Sequence, residues 1–260
     1  MKLDESERVK LLPNHRAHDA KHLIQRWRVL ARAAGCKVSV LCKVDGIPVI
    51  VVESAATRAG EPAAYLSAGV HGDEPGAAWG LLHWAEKHVN ELKHGSFLIA
   101  PCLNPVGLTL NTRADHRGID INRRFHDAAD EICGPWQRWI SGRAMRFGLC
   151  LHEDYDAQGI YLYELNHAPQ TAGHGIIERC SRLIATDPRK SIDGQRANLG
   201  VIRRRTLPTH LPGVPEAIEL HARGCPVTLT FETPSEFDLD RRVRTQLRLV
   251  ESALEVLTQS

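Results

Sequence analysis

The most constraining feature of the sequence is an alternation between short apolar runs and longer segments with a helical period. The run AAYLSAGV at 63–70 precedes a segment at 75–92 in which apolar residues recur every three or four positions. Two further apolar runs, at 146–151 and 227–231, end in polar residues and are followed by helical patterns. Strands that alternate with helices predict an α/β fold, a sheet with helices on both faces.

The amino-terminal part of the chain adds a helix and a hairpin. Residues 18–35 predict an amphipathic helix, and residues 37–54 predict a hairpin whose turn is Asp45-Gly46. We predict one catalytic domain over 1–260, with a helix and a hairpin from 1–60 packed on it. Further helices are predicted around Trp136, Trp139 and Met145, and at 173–187, 215–224 and 238–259.

Composition excludes several classes of protein. The chain has 260 residues, of which 43% are hydrophobic, and this is enough for a sizeable core. Its net charge of +2 is close to neutral and does not indicate binding to nucleic acid. The basic run at 203–205 is interpreted as a solvated face rather than a polyanion site.

No window approaches the roughly 18 apolar residues of a membrane span, and the first 18 residues lack the apolar core of a signal peptide. Seven scattered cysteines without a C-x-x-C pair are typical of a reducing compartment. We therefore expect a cytoplasmic protein that binds no membrane. The sequence does not indicate an oligomeric state.

Polar, chemistry-bearing residues follow the apolar runs. His71 and Glu74 come after the run at 63–70, His152 after the run at 146–151, and Glu232 after the run at 227–231. In open α/β sheets, ligands bind outside the carboxyl ends of the strands. The sequence therefore predicts that these four side chains meet at one edge of the sheet.

The pattern H-x-x-E occurs three times within a short stretch, so position must separate the copies. Two of them, His83/Glu86 and His88/Glu91, lie inside the helical segment at 75–92. Residues three apart share a helix face, and we expect these pairs to be solvated. Asp73, beside Glu74, is expected to belong to a turn or to contact a ligand residue, rather than to be a metal ligand itself.

Two histidines and one carboxylate form an established ligand set for catalytic zinc, which leaves a position open for water. His71, Glu74 and His152 would supply this set. Zinc makes its water acidic enough to attack near neutral pH, and a separate carboxylate must then handle the proton. Glu232 is the candidate base, because it ends a different strand and is not needed as a ligand.

The segment between the two histidines supplies positive charge. Guanidinium groups suit an oxyanion or a carboxylate, because they bind pairs of oxygens. Asp120 in the same segment could hydrogen-bond a metal-binding imidazole, or it could cap a turn. The arginines of this segment are Arg113, Arg117, Arg123 and Arg124.

Six ordered motifs, HGDE, NP-G, NTR, GIDINR, LHED and TFETP, lie within residues 62–236. In this order they resemble the zinc carboxypeptidases and their succinylglutamate desuccinylase/aspartoacylase cousins, most closely the compact bacterial branch that cleaves small peptides. The resemblance implies a mixed, mostly parallel, eight-stranded sheet between helices. It also implies one zinc ion, with His71, Glu74 and His152 as its ligands.

The resemblance implies roles for five other residues. Arg113 matches the arginine that stabilises the transition state, and Glu232 matches the general base. Asn122 and Arg123 match the pair that grips the terminal carboxylate of the substrate. Asp120 matches the aspartate that hydrogen-bonds a zinc-bound histidine.

The sequence departs from the family in two places. Digestive carboxypeptidases carry a tyrosine about twenty residues before the general base, and the corresponding stretch here, 207–220, has none. His210 is a weak substitute. In addition, Glu153, Asp154 and Asp156 could support a second metal, although a solvated loop that contacts the zinc ligands is the simpler interpretation.

Three functions stay open. The leading hypothesis is a zinc-dependent carboxypeptidase that hydrolyses an amide bond beside a free carboxylate in a small peptide. The alternative is an N-acyl amino acid deacylase of the desuccinylase/aspartoacylase type. The third is an inactive domain that binds a peptide or a metal.

Overall fold

The computed structural model describes residues 15–208 and 212–258. Its strands are β1 (Lys37–Val44), β2 (Ile47–Glu53), β3 (Ala63–Ala68), β4 (Phe97–Ala100), β5 (Met145–Asp154), β6 (Tyr161–Asn166), β7 (Ser191–Ile192), β8 (Gln195–Arg196), β9 (Val201–Arg204) and β10 (Val227–Pro234). Its helices are α1 (Ala20–Ala33), α2 (Ala55–Arg58), α3 (Pro75–Lys87), α4 (Val89–His94), α5 (Pro105–Leu110), α6 (Cys133–Ile140), α7 (Gly173–Cys180), α8 (Glu216–Ala222) and α9 (Leu239–Thr258). A 3₁₀ turn covers Ile121–Arg123.

Eight strands form one mixed sheet in the order β1-β2-β4-β3-β5-β10-β6-β9. The pairs β3/β4, β3/β5, β5/β10 and β6/β9 are parallel, and the other three pairs are antiparallel. The predicted mixed, mostly parallel, eight-stranded sheet is therefore confirmed. A separate small hairpin, β7-β8, lies outside it.

Helices cover both faces of the sheet, as predicted. One apolar core joins the sheet to α1, α3, α7 and α9 and contains Trp27 and Trp79, both fully buried. The core on the opposite face joins the sheet to α6 and α8 and contains Trp136 and Leu220. A sheet buried on both faces explains why its central strands are nearly continuous apolar runs.

The amino-terminal hairpin extends the sheet at one edge, where β2 pairs with β4. Its turn residues Asp45 and Gly46 both have positive φ, 47° and 76°. This is the conformation that a two-residue hairpin turn needs, and it explains the Asp-Gly signal in the sequence.

Two local predictions were wrong in detail. The helix predicted over 75–92 is interrupted at His88, whose backbone (φ −112°, ψ 40°) leaves the helical region, so α3 and α4 are separate. Met145 does not belong to the helix of Trp136 but begins β5. The basic run at 203–205, interpreted as a solvated face, begins in the edge strand β9 and ends at the exposed Arg205. Arg203 donates to the carbonyl oxygens of 168–170.

Among the described residues, no helix combines the length and the apolar character that crossing a membrane would require.

Candidate functional site

Three side chains converge where β3 and β5 lie side by side. His71 follows β3, Glu74 directly precedes α3, and His152 lies near the end of β5. His71 Nδ1 lies 2.6 Å from Glu74 Oε1, and His152 Nδ1 lies 3.0 Å from Glu74 Oε2. One donor atom from each of the three residues lies within 4.8 Å of the others. All three residues are buried.

Two glycines allow the loop after β3 to bring His71 and Glu74 to this position. Gly69 has a φ of +62°, which is unfavourable for other residues, and it packs against Cys102. Gly72 approaches the backbone of α5 so closely that a Cβ would lie 1.9 Å from the carbonyl carbon of Gly107. The HGDE motif therefore needs its glycine for packing, apart from any chemistry of its neighbours.

The buried histidines and Glu74 interact as charges. Burial alone would lower the pKa of His71, but Glu74 and Asp120 outweigh it and raise that pKa to about 9. Burial opposes ionisation of Glu74 too, yet His71 and His152 lower the pKa of Glu74 to about 2. Without a metal, these side chains thus carry opposite charges near neutral pH.

The donor set fits a zinc ion. Glu74 Oε2 is buried, and the group nearest to it is His152 Nδ1, at 3.0 Å and in a geometry too poor for a regular hydrogen bond. A buried carboxylate oxygen and a ring nitrogen that face each other in this way are both satisfied when they bind one cation. Two imidazoles with one carboxylate match the composition of catalytic zinc sites.

Asp120 and Arg113 adjoin the candidate ligands. Asp120 Oδ1 lies 3.1 Å from His71 Nε2, on the ring edge opposite Nδ1. Arg113 donates from Nε and Nη2 to Asp120 Oδ2, at 3.2 Å each. Burial works against the charge of Asp120, but its contacts with His71 and Arg113 hold its pKa well below the usual range. Arg113 Nη1 also lies 3.7 Å from Glu74 Oε1.

Glu232 stands beside the three candidate ligands. It pairs with His152 across the parallel strands β10 and β5, so both side chains emerge on the same face of the sheet. No described residue donates a hydrogen bond to its carboxylate. Burial, with the nearby charges of Glu74 and Asp154, raises the pKa of Glu232 well above its usual range despite the opposing effect of His152.

Asn122 and Arg123 form the 3₁₀ turn and line the same cavity, which has a volume of about 300 Å³. Asn122 Oδ1 accepts a hydrogen bond from the backbone N–H of Glu216 at the start of α8, at 3.0 Å. Arg123 Nη1 donates to the carbonyl oxygen of Asn122 at 3.1 Å, which leaves most of its guanidinium donors for a ligand.

The structure brings into this cavity several residues that the sequence did not suggest. Tyr161 and Tyr163 alternate along β6, so both face the cavity. Tyr161 donates its hydroxyl to Asp154 Oδ2 at 2.8 Å, and Tyr163 donates to Asp193. The period-two pattern in GIYLYEL was the available signal. His210, the suggested substitute for the missing tyrosine, lies outside the described residues.

Other predicted residues stay outside the cavity. His83 is not on a solvated helix face as expected: it is buried, 3.4 Å from Glu86, which also binds Arg26 of α1. The apolar packing of α3 on both sides excludes solvent there. Arg117 is engaged by Asp115 and Asp130, and Arg124 by Asp127. His88 contacts Glu91 and Glu251, and Asp73 is exposed.

Glu153, one of the three residues considered for a second metal, has protein partners. Its Oε2 accepts from Arg242 Nη1 at 2.8 Å and from the N–H of Gly76 at 2.9 Å. Asp154 accepts from Tyr161 and from the N–H of Asp156. Gln246 of α9 donates to the carbonyl oxygen of His152 at 2.6 Å. The helix α9 thus contacts the backbone of His152 directly. Through Glu153 it also contacts the first turn of α3, the helix that follows Glu74.

Zinc binding to protein stripped with a chelator should release more than one proton per ion at pH 7. Despite burial, Glu74 raises the pKa of His71 to about 9 and raises the pKa of His152 as well, and both rings must lose a proton before their nitrogens can bind a metal. Affinity should rise at least about tenfold per pH unit below pH 9 and level off above it. Calorimetry in two buffers with different ionisation enthalpies measures the proton count; equal binding enthalpies in both would contradict the prediction.

Comparisons with known proteins agree with this architecture. Residues 60–147, about a third of the chain, match the family model of the succinylglutamate desuccinylase/aspartoacylase catalytic domain. A candidate metallopeptidase from Shewanella amazonensis SB2B superposes with a TM-score of 0.81 at 21% identity, over 93% of this chain and 94% of its own. A metallo-carboxypeptidase from Burkholderia cenocepacia superposes with a TM-score of 0.67 at 16% identity, over 93% and 69%. Among curated protein sequences, none matches the chain. These findings confirm the predicted fold and the predicted resemblance.

Proposed function

Starting from its resemblance to the zinc carboxypeptidases and the desuccinylase/aspartoacylase enzymes, we propose that this chain is a zinc-dependent carboxypeptidase. It would hydrolyse an amide bond next to a free carboxylate in a small peptide. One observation carries the proposal: His71, Glu74, His152, Glu232 and Arg123 line a single cavity of about 300 Å³. Groups for metal binding, proton transfer and carboxylate recognition are thereby within reach of one small substrate.

His71, Glu74 and His152 would hold the zinc ion, which when bound would polarise the scissile carbonyl and activate water. Asp120 orients His71: a carboxylate on Nε2 favours the tautomer with a proton there and leaves Nδ1 free as a donor atom to the metal. The seven cysteines are all free thiols in the structure, which supports a reducing, cytoplasmic setting as part of the proposal.

Glu232 would move the proton. It would accept one from the attacking water and deliver it to the leaving amine. A carboxylate at the edge of a buried cavity suits both steps, because a raised pKa makes it a stronger base than an exposed glutamate. Arg113, 3.7 Å from Glu74 and partly exposed, would place positive charge beside the developing oxyanion.

Arg123 and Asn122 would bind the terminal carboxylate and so fix which amide bond is attacked. Asn122 is immobilised by its bond to Glu216, and Arg123 packs against the segment at 213–214, where a Cβ on Gly213 would lie 2.4 Å from the Arg123 carbonyl oxygen. The two residues are therefore held in place before any substrate arrives.

Replacing Arg123 by methionine should lower kcat/KM on peptides with a free carboxy terminus by about 10²–10³-fold, mostly through KM. This is the size of effect expected when one partner of a buried charge pair is truncated. Arg124→Met is the matched control, because Arg124 is the next residue but pairs with Asp127 outside the cavity. Steady-state kinetics on free and amidated peptides measures the change. Equal losses in both variants, or no discrimination against amidated peptides by the wild type, would contradict it.

A second candidate function, N-acyl amino acid deacylation, is favoured by the family model that matches residues 60–147. The catalytic groups would be the same and the leaving amine would again be a single amino acid, but the acyl group would be a small acid rather than the rest of a peptide. Zinc-loaded protein should be assayed on dipeptides and tripeptides and on N-acetyl and N-succinyl amino acids. Faster turnover of the acyl amino acids would replace the peptidase proposal with this one. Stoichiometric zinc without turnover of either class would favour a binding domain.

A further inference from the structure

The turn that carries Asn122 and Arg123 is held by a residue whose buried carboxyl group the proposed chemistry does not use. This residue is Glu216, the first of α8, and it is only 1% exposed. We infer that Glu216 is a positioning residue, which orients the side-chain amide of Asn122 so that its NH₂ group is available to the carboxylate of a substrate. The inference rests on the proposed function and names the residue on which its carboxylate recognition depends.

The backbone just before Glu216 pairs with the turn. Val214 donates its N–H to the carbonyl oxygen of Arg123 at 3.0 Å, and its own carbonyl oxygen accepts from the N–H of Phe125 at 3.2 Å. Glu216 continues this pairing, because its N–H donates to Asn122 Oδ1 at 3.0 Å. The turn and the segment that leads into α8 therefore keep a fixed relative position.

The side-chain amide of Asn122 has a defined polarity in this arrangement. A backbone N–H can only donate, so the atom of Asn122 that faces Glu216 must be the oxygen. A rotated amide would place one donor against another. Asn122 lines the cavity, and its Nδ2 has no hydrogen bond with any residue that the structure describes. This NH₂ group is the right partner for a carboxylate, which can only accept.

The side chain of Glu216 attaches the start of α8 to β3. Tyr65 donates its hydroxyl to Glu216 Oε1, and Ser67 donates to Oε2 at 2.9 Å. These two residues are two positions apart on a fully buried strand, so they lie on one face of it. The Tyr65 hydroxyl oxygen accepts in turn from Trp136 Nε1 at 2.7 Å. Because β3 leads to His71, Glu216 connects the carboxylate-binding turn to the strand that precedes a candidate metal ligand.

Both side chains that donate to the Glu216 carboxyl group are neutral. Among the described residues, no lysine, arginine or histidine lies within ion-pair distance of this group. Burial raises the pKa of Glu216, although the hydrogen bonds from Tyr65 and Ser67 oppose the effect. The shape of the side chain and its hydrogen bonds, rather than its charge, should therefore hold α8 in place. Glutamine preserves both of these properties, whereas alanine removes them.

The test compares Glu216→Ala with Glu216→Gln on peptides whose carboxy terminus is either free or amidated. In Glu216→Ala, kcat/KM on the free peptides should fall by about 10–10²-fold, the effect of losing one hydrogen bond to a charged group, and the loss should lie in KM. Amidated peptides lack the carboxylate, so their kcat/KM should change little. Glu216→Gln should keep the wild-type preference for free peptides. A merely structural role would instead lower kcat on both kinds of peptide alike.

Glu53→Ala is the matched control for Glu216→Ala. Glu53 is also a buried glutamate, but its partners are Trp139 and Arg143 and it lies outside the cavity. This variant should keep the preference for free peptides even if it is less stable. If Glu216→Ala does not fold, Ser67→Ala removes one of the two hydrogen bonds to the carboxyl group and should lower the same preference. An unchanged preference in Ser67→Ala would then overturn the inference.

A binding measurement separates this inference from the proposed function. Calorimetry with zinc-loaded protein should show that leucine binds more tightly than leucinamide, and Glu216→Ala should lower this ratio by about 10–10²-fold while Glu216→Gln keeps it. Hydrolysis by Glu216→Ala with an unchanged preference for free peptides would overturn the inference and leave the proposed function intact. Absence of hydrolysis by the wild type would defeat the proposed function, and the binding ratio would then decide the inference by itself. Equal binding of leucine and leucinamide by the wild type, or an unchanged ratio in Glu216→Ala, would overturn it.

Discussion

Replacing Glu232 by glutamine is expected to lower kcat by about 10²–10⁴-fold, the usual contribution of a positioned general base. Glutamine keeps the shape of the side chain but cannot accept the proton. Zinc content should stay at one ion per chain, because Glu232 is not among the three residues whose donor atoms converge. Kinetics together with metal analysis on the same preparation measures both quantities.

The pH profile provides a second measure of the role of Glu232. Burial raises the pKa of this carboxyl group in the metal-free site. In the zinc-loaded enzyme, kcat/KM should fall on the acid side as pH passes through the pKa that Glu232 has there. The limb should disappear in Glu232→Gln. Glu236→Gln, on an exposed side chain just beyond β10, is the matched control and should retain both the rate and the limb. Near-normal turnover by zinc-loaded Glu232→Gln would remove Glu232 from the mechanism.

Replacing Arg242 by methionine is expected to destabilise the protein by about 3–5 kcal/mol, the range for breaking one side of a buried ion pair. Arg242 is the cation that faces Glu153, whose side chain is fully buried. Even with this partner, burial raises the pKa of Glu153 to about 7. Denaturant unfolding of the metal-free protein measures the loss. Zinc affinity should also fall by about 10–100-fold, because Glu153 fixes the first turn of the helix that follows Glu74.

The pH dependence of this loss has a definite sign. A folded-state pKa of about 7 is above the ordinary value of 4.5, so the folded form of Glu153 binds protons more tightly than the unfolded form. Its contribution to stability is present below pH 4.5 and is lost as pH rises through about 7. A protonated Glu153 needs no cation, so Arg242→Met should cost less at pH 5 than at pH 8.

Arg248→Met is the matched control for Arg242→Met, since it removes an arginine from the same helix. Its partner Glu251 keeps contacts with Lys87 and His88, so no acid is left buried alone. We expect a cost of at most about 1 kcal/mol. Equal costs for the two arginines at pH 8 would mean that Glu153 does not depend on Arg242. The double variant Glu153→Gln/Arg242→Met should recover part of the stability that Arg242→Met loses.

Much of the fold followed from local patterns. The alternation of apolar runs and helical segments predicted the α/β class, and Asp45-Gly46 predicted its hairpin turn, because these signals act within a few residues of chain. The prediction that polar residues at the ends of β3, β5 and β10 would meet also followed from local patterns, together with one general property of parallel sheets. Parallel neighbouring strands deliver their carboxyl ends to one edge, and the register of Glu232 with His152 is an instance.

Local patterns failed where a neighbour distant in the sequence decided the outcome. His83 has the same H-x-x-E spacing as His71, but packing of α3 between the sheet and other helices buries it away from the cavity. The strands β6 and β9 are short. Tyr161, Tyr163 and Arg204 line the cavity only because of the strands that lie beside β6 and β9 in the sheet.

The sequence by itself therefore determined the class of the fold, the candidate ligands and the candidate base. Only the tertiary structure decided what surrounds them. It pairs Glu153 with Arg242, 89 residues later, and brings Arg204 to the wall of a cavity that begins at His71. Period, turn and motif are properties of neighbouring residues, whereas charge pairing and cavity shape arise from contacts between distant ones. Such contacts depend on strand order and helix packing, which no single segment encodes.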